Sequence, residues 1–141
     1  MTHQHKVKRI HDFIKSHHLA TISTVTGDAL PQAAVVGFAM IDGEIVFGTY
    51  QGSRKFRNLQ SNPRVALVIG MDRGETVQYE GMATELSGHE LARFKQEYLS
   101  QVPTAAKYVP QAEQVFFKIK PAYVRYVNIS QDPWEQIEVN F

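Results

Sequence analysis

The chain has 141 residues, of which 43% are hydrophobic and 21% are charged, as in ordinary globular domains. A net charge of +1 at pH 7 excludes a dominant electrostatic partner, so we expect no nucleic acid and no anionic membrane surface as ligand. The absence of cysteine excludes disulfides, thiolate nucleophiles and cysteine-based metal sites. We therefore expect a single domain over residues 1–141 that buries an ordinary core.

Two further features bear on location. No apolar run approaches the roughly 20 residues that a membrane-spanning helix needs. The N-terminal residues lack the apolar stretch and the small-residue cleavage site of a secretory signal. We expect a cytoplasmic protein, a location that the missing cysteines also fit.

The first half of the chain begins with a helix and continues with strands. Apolar residues at helical spacing predict a helix over about residues 3–17, and a strand follows over residues 19–25. A second strand is predicted over about residues 32–40. The pair Asp42-Gly43 is typical of a tight hairpin turn that leads into a third strand over residues 44–49. These three strands form a predicted meander.

The second half mixes helices and strands. The predicted elements are a helix over residues 53–62, strands over 64–69 and 75–86, a helix over 88–100, and strands over 114–119 and 122–129. Gly81 indicates a bulge or the close approach of another backbone, and Pro121 is expected to interrupt the last strand. The tail beyond is expected to be irregular. Six to seven mostly antiparallel strands with about three flanking helices predict a mainly-β barrel.

The start of the helix at Ser53 breaks a local rule. Ser53 is a suitable N-cap, but Arg54 and Lys55 place positive charge at the positive end of the helix dipole. A bound anion would reverse this conflict, because helix N–H groups, a hydroxyl and two cations would converge on it. Gly52 would let the backbone approach such a ligand closely. A solvated basic helix start explains the spacing equally well.

The residues around this helix resemble a known family. Two segments are similar to the pyridoxamine 5′-phosphate oxidase family of FMN-binding split β-barrels. They are Gly48-Thr49-Tyr50-Gln51-Gly52-Ser53-Arg54-Lys55 and the following Asn62-Pro63-Arg64-Val65. The later segment Val77-Gln78-Tyr79-Glu80-Gly81-Met82-Ala83 is similar to the next strand of that family. The order of elements matches from about His11 to Ile129, which is most of the chain.

The resemblance implies a cofactor site and an assembly. Ser53, Arg54 and Lys55 would hold the FMN phosphate, and Thr49 would contact the phosphate or the ribityl chain. Backbone groups of the strand Ala34-Val35-Val36 would lie along the isoalloxazine ring. Family members are homodimers with FMN at the subunit interface, so each site would need two chains.

Three positions depart from the family pattern. Ala34 stands where the oxidase has an arginine that helps to bind phosphate, and Gly48 replaces a tyrosine. A glutamine that contacts the ring is aligned with Thr76, although Gln78 lies two residues further along the same face. The C-terminal substrate-binding segment with its Arg-x-His motif is also missing. We therefore do not expect oxidation of pyridoxamine phosphate.

Other candidate residues give weaker signals. His3 and His5 have no third ligand at a convincing spacing, so no metal site is predicted. Glu80 could line the pocket, but a surface role is favoured. Trp134 could cover the cofactor ring of a partner subunit, although a packing anchor for the tail is the favoured interpretation.

The leading functional hypothesis is an FMN-dependent oxidoreductase that acts as a homodimer on a small-molecule substrate or electron donor. No side chain stands out as a catalytic acid or base. Three other hypotheses remain: a flavin carrier or sensor without turnover, a related split barrel that binds a deazaflavin or haem, and a cofactor-free dimeric interaction module.

Overall fold

Seven β-strands, three α-helices and one 3₁₀ helix make up the fold in the computed structural model, which describes residues 1–141. In chain order they are α1 (His3–Lys15), β1 (Leu19–Val25), β2 (Pro31–Ile41), β3 (Glu44–Tyr50), α2 (Arg54–Ser61), β4 (Arg64–Ile69), β5 (Glu75–Glu85), α3 (Gly88–Gln101), the 3₁₀ helix (Pro103–Lys107), β6 (Gln114–Asn128) and β7 (Glu135–Asn140). No helix has both the length and the apolar composition that crossing a membrane would require.

Six of the strands close into an antiparallel barrel. Their order is β3-β2-β1-β4-β5-β6, and pairing between β3 and β6 closes the ring. Strand β7 lies outside this ring and pairs with the second half of β6. This arrangement confirms the predicted mainly-β barrel with flanking helices.

Two apolar cores lie on opposite sides of the barrel wall. The larger fills the barrel and includes Phe38, Phe47 and Tyr79. The smaller lies between α3 and the outer surface of β2, β3 and β6, where Phe94 and Phe116 are buried. Because successive side chains of a strand point to opposite faces, residues 38–41 of β2 are buried on both sides.

The local turn predictions are confirmed. Asp42 and Gly43 form the turn of the β2–β3 hairpin, with φ angles of 54° and 77°. Gly81 lies at a register shift between β5 and β6, and a Cβ atom there would collide with the carbonyl oxygen of Lys120. A side chain cannot be accommodated at this position, which explains the glycine.

Three predictions about the end of the chain are wrong. Strand β6 continues through Pro121, because that residue lies at the register shift opposite Gly81, where a proline is tolerated. The tail is not irregular throughout, since residues 135–140 form β7 along the free edge of β6. Backbone pairing therefore holds the tail, and Trp134, which is 59% exposed, does not anchor it.

Strands β2 and β3 separate at one end of the barrel. Their pairing runs only from Ile41 opposite Glu44 to Phe38 opposite Phe47. Beyond this point residues 31–37 of β2 pair with β1, and residues 48–50 of β3 pair with β6. The opening between these two segments, called the strand gap below, is the feature that creates the candidate site.

Candidate functional site

A cleft of 570 Å³ lies at the strand gap on the outside of the barrel. One side is formed by residues 35–37 of β2, and the other by residues 48–50 of β3 together with Gln114 and Phe116 of β6. An apolar wall is supplied by Val102, between α3 and the 3₁₀ helix, and by Val109, which follows the 3₁₀ helix. The volume and the mainly apolar lining are typical of a small-molecule site.

The start of α2 lies at one end of the cleft. The Ser53 hydroxyl accepts a hydrogen bond from the Phe56 N–H at 3.1 Å, so Ser53 is the predicted N-cap. The Thr49 hydroxyl donates to the Ser53 hydroxyl at 2.9 Å, and the Lys55 ammonium lies 3.4 Å from the Thr49 oxygen. Three of the four residues predicted to contact a phosphate therefore converge at one point.

Lys55 carries a positive charge with no negative partner. The side chain is half-buried, and burial lowers its pKa below the ordinary value of 10.5. No carboxylate forms an ion pair with Lys55 or with the exposed Arg54. A partly desolvated ammonium at a helix N-terminus is an unsatisfied cation, and an anion would satisfy it.

A smaller cavity of 180 Å³ adjoins this point. Ala34 and Gln32 of β2 line it together with Arg54 and Lys55. The short side chain of Ala34 leaves this space open beside the two cations. Ala34 supplies no charge at this point but leaves room for an anion.

A buried hydrogen-bond network holds α2 in place. The Asn58 amide donates to the Thr24 hydroxyl at 2.9 Å and to the Gln32 side-chain oxygen at 3.0 Å. Asn58 and Thr24 are both buried, so these bonds connect the helix to β1 and β2. The network fixes the helix start that carries Ser53 and Lys55. Asn58 was not predicted from the sequence, because its only local signal is a polar residue beside Leu59.

One chain does not bring all the predicted residues together. Seven of the predicted residues line the cleft or the adjoining cavity: Ala34, Val35, Val36, Gly48, Thr49, Arg54 and Lys55. Ser53 is the N-cap of α2 beside them. Thr76 and Gln78 lie on the outer face of β5, and Trp134 precedes β7. These three residues line neither cavity in a single chain.

Gly48 has a direct structural consequence. A Cβ atom at this position would collide with the side-chain amide nitrogen of Gln114 and would lie 3.0 Å from the ring of Phe116. The glycine therefore makes room for the Gln114 side chain. The Gln114 Oε1 atom is buried and has no hydrogen-bond partner.

Three cleft residues were not anticipated from the sequence as ligand contacts. Gln114 opens β6, His18 precedes β1, and the buried Tyr98 reaches the cleft from α3. The Tyr98 hydroxyl lies 3.5 Å from the position that a Cβ atom of Gly37 would occupy. Burial raises the pKa of Tyr98 above its ordinary value. The cleft thus combines a cationic end, an apolar wall and neutral hydrogen-bonding groups.

Solved structures share this fold. A haem-binding protein from Mycobacterium smegmatis is 20% identical with a TM-score of 0.82; the match covers 99% of this chain but only 58% of that protein's chain. General Stress Protein 26 from Bacillus anthracis is 20% identical with a TM-score of 0.76, covering 96% of this chain and 99% of the other. A NimC/NimA family protein from Clostridium acetobutylicum is 16% identical with a TM-score of 0.75, covering 99% and 100%.

A search of curated protein sequences found no match. The family comparison gives a definite result. The family model described as pyridoxamine 5′-phosphate oxidase matches residues 7–128, which extend from α1 to the end of β6. This range contains the closed barrel, the strand gap and the helix that begins after Ser53. The chain belongs to the pyridoxamine 5′-phosphate oxidase family.

Proposed function

We propose that the cleft binds FMN and that the protein is a flavin-dependent oxidoreductase. The observation that carries this proposal is the half-buried, unpaired ammonium of Lys55 beside the hydrogen-bonded hydroxyls of Thr49 and Ser53. A phosphate dianion would neutralise Lys55 and accept hydrogen bonds from the first turn of α2. The mainly apolar cleft next to this point has a volume of 570 Å³, which is enough for an aromatic ring system.

The bound flavin would supply the hydride or electron chemistry. The residues of this chain would hold and shield it. Lys55 and Ser53 fix the phosphate end, and the backbone of residues 35–37 lies where a ring would pass. Val102 and Val109 exclude water from the opposite wall, which strengthens polar contacts inside the cleft. The groups of the cleft that could transfer a proton are His18, Lys55 and the tyrosine hydroxyls, and no carboxylate is among them.

We expect the active form to be a homodimer. The outer surface of β1, β4 and β5 is not covered by a helix, and it exposes Leu19, Ala66 and Met82. A second copy on this surface would bury these apolar groups. Thr76, Gln78 and Trp134 would then be free to contact the cofactor of the partner subunit. Light scattering of the purified protein at several concentrations tests this expectation, and a monomer at all of them would contradict it.

The visible spectrum of the purified protein and a titration with FMN test the main proposal. Bound FMN is expected to give the two absorption bands of oxidised flavin, and its fluorescence is expected to be quenched on binding. A colourless protein that leaves the fluorescence of added FMN unchanged would refute the proposal. Turnover with reduced nicotinamide and a panel of electron acceptors distinguishes an oxidoreductase from a flavin carrier or sensor.

Haem is the second candidate cofactor. His18 is the only histidine that lines the cleft, and the similar protein from Mycobacterium smegmatis binds haem. A neutral imidazole is a common axial ligand of haem iron. A Soret band that is lost in His18→Ala but retained in His17→Ala would favour haem over flavin.

If the protein takes up a deazaflavin in place of FMN, the phosphate contacts above still apply, because they do not involve the ring.

A further inference from the structure

Tyr98 presents a free hydroxyl group to the cleft. The residue is only 6% exposed, and its ring packs edge-on against Phe116. The other two buried tyrosines, Tyr79 and Tyr126, donate hydrogen bonds within the protein, as buried tyrosines usually do. The Tyr98 hydroxyl has no such partner, yet the protein does not shield it completely from solvent. Because the residue lines the cleft, this hydroxyl is accessible to a ligand there.

Gly37 keeps the hydroxyl accessible. The atom nearest to the position of a Cβ on Gly37 is the Tyr98 oxygen, at 3.5 Å. A methyl group at that position would be in ordinary van der Waals contact with the hydroxyl and would cover it without a collision. Gly37 does not have a positive φ, and a glycine within a strand costs stability relative to alanine. Neither backbone conformation nor crowding requires this glycine, and its effect is to leave the hydroxyl open.

The hydroxyl lies at the end of the cleft away from the phosphate site. Ala34 lies beside the two cations of α2, and Gly37 is three residues further along an extended strand, a distance of about 10 Å. The wall near the hydroxyl is apolar and includes Val102 and Val109. The cleft contains no carboxylate and no arginine, and His18 at this end is exposed to solvent. A charged ligand group here would lose water without gaining a buried opposite charge, which is costly.

We propose that this end of the cleft binds the substrate of the flavin, an uncharged and largely apolar molecule whose carbonyl-type oxygen accepts a hydrogen bond from Tyr98. This inference rests on the proposed function. Burial keeps the Tyr98 hydroxyl protonated at neutral pH by raising its pKa, so the hydroxyl acts as a donor. A single neutral donor in an apolar site orients its ligand and discriminates against molecules that lack an acceptor. Substrates with a phosphate or carboxylate at this end are disfavoured.

The test uses three probes of similar size and shape on the FMN-loaded protein. The ketone 2-acetylnaphthalene carries a carbonyl acceptor, the hydrocarbon 2-ethylnaphthalene has none, and 2-naphthoate carries a negative charge. Calorimetric titration compares the wild type with Tyr98→Phe, which removes only the hydroxyl. We expect the ratio of ketone affinity to hydrocarbon affinity to fall roughly 3- to 10-fold in Tyr98→Phe, the effect of losing a neutral hydrogen bond. The hydrocarbon should bind both proteins equally, and 2-naphthoate should bind the wild type more weakly than the ketone does.

Further variants separate access to the hydroxyl from its structural role. Gly37→Ala covers the hydroxyl while leaving it in place, so it should lower the same affinity ratio. Tyr108→Phe is the matched control, because Tyr108 also lines the cleft but is 42% exposed, and it should leave the ratio unchanged. Since the Tyr98 hydroxyl has no partner in the protein, Tyr98→Phe should not lower the Tm of the ligand-free protein. A lower Tm would assign the hydroxyl to the fold and overturn the inference.

The outcomes distinguish this inference from the proposed function. If the wild type binds neither FMN nor the ketone, both are overturned. If it binds FMN but not the ketone, or if the affinity ratio is the same in Tyr98→Phe, only the substrate inference is overturned. Binding of 2-naphthoate as tight as that of the ketone would overturn it as well. If FMN does not bind but the FMN-free protein shows the change in ratio, the proposed function is refuted and the role of Tyr98 in ligand binding is upheld.

Discussion

Replacement of Lys55 by methionine is the most direct test of the phosphate site. Methionine retains most of the apolar side chain and removes only the charged group. The structure places this ammonium 3.4 Å from the Thr49 hydroxyl, without a carboxylate partner. A charge-assisted hydrogen bond contributes about 1.5–3 kcal/mol, so we expect FMN to bind roughly 10- to 150-fold more weakly.

The assay is a fluorescence titration with FMN and with riboflavin, which lacks the phosphate, at constant salt. Riboflavin affinity should be the same in the wild type and in Lys55→Met, because only the phosphate interaction is removed. Lys120→Met controls for the change in net charge, since Lys120 is exposed and forms no ion pair. The constant salt concentration matters because salt screens exposed charges.

The same substitution has a second, opposite consequence. Burial disfavours the charged form of Lys55 in the ligand-free protein, so its folded-state pKa lies below the unfolded value. This penalty is fully present below the folded-state pKa and decreases as the pH rises through it. We therefore expect Lys55→Met to raise the Tm of the ligand-free protein at pH 7. Unchanged FMN affinity, or equal losses for FMN and riboflavin, would refute the assignment of the phosphate to Lys55.

Three further predictions concern the surroundings of this site. The affinity for FMN should fall on the alkaline side as Lys55 loses its proton, at a lower pH than for an ordinary lysine, and Lys55→Met should abolish this alkaline limb in titrations across pH. Asn58→Leu should lower the free energy of unfolding in urea by about 1–3 kcal/mol, because the buried hydroxyl of Thr24 loses its donor, and should also weaken FMN binding. Gly81→Ala should destabilise the barrel by about 1–3 kcal/mol through its collision with β6, whereas Gly27→Ala, with no atom within 4 Å, should leave thermal unfolding unchanged.

The parts of the fold that follow from local chemistry were predictable. Asp42-Gly43 forms a hairpin because both residues accept positive φ, and Ser53 caps α2 because its hydroxyl satisfies a free N–H group. Gly81 was also identified from the sequence, because a glycine within a strand usually marks a bulge or the close approach of another backbone. Each of these signals depends on a few neighbouring residues.

The remaining features depend on contacts between distant segments. The sequence Glu135–Asn140 contains only Ile137 and Val139 as buried residues, and it forms a strand because the edge of β6 is free to pair. The convergence of Gln114 and His18 on the cleft depends on where β2 and β3 stop pairing. No periodicity in the sequence specifies that point, so these residues could not be assigned to the site in advance.

The strand gap also affects which substitutions this site can tolerate. Residues 31–37 pair with β1 on one edge, and the other edge of the strand has no neighbouring strand. The proposed ligand would contact these peptide groups, which are atoms that every residue carries. Under the proposed function, the exposed Val35 side chain can change while the main-chain contact persists, and an alanine scan would assign Val35 little importance. Proline at position 35 would remove a main-chain donor on this unpaired edge, because residues 36 and 38 direct their N–H groups to the β1 side.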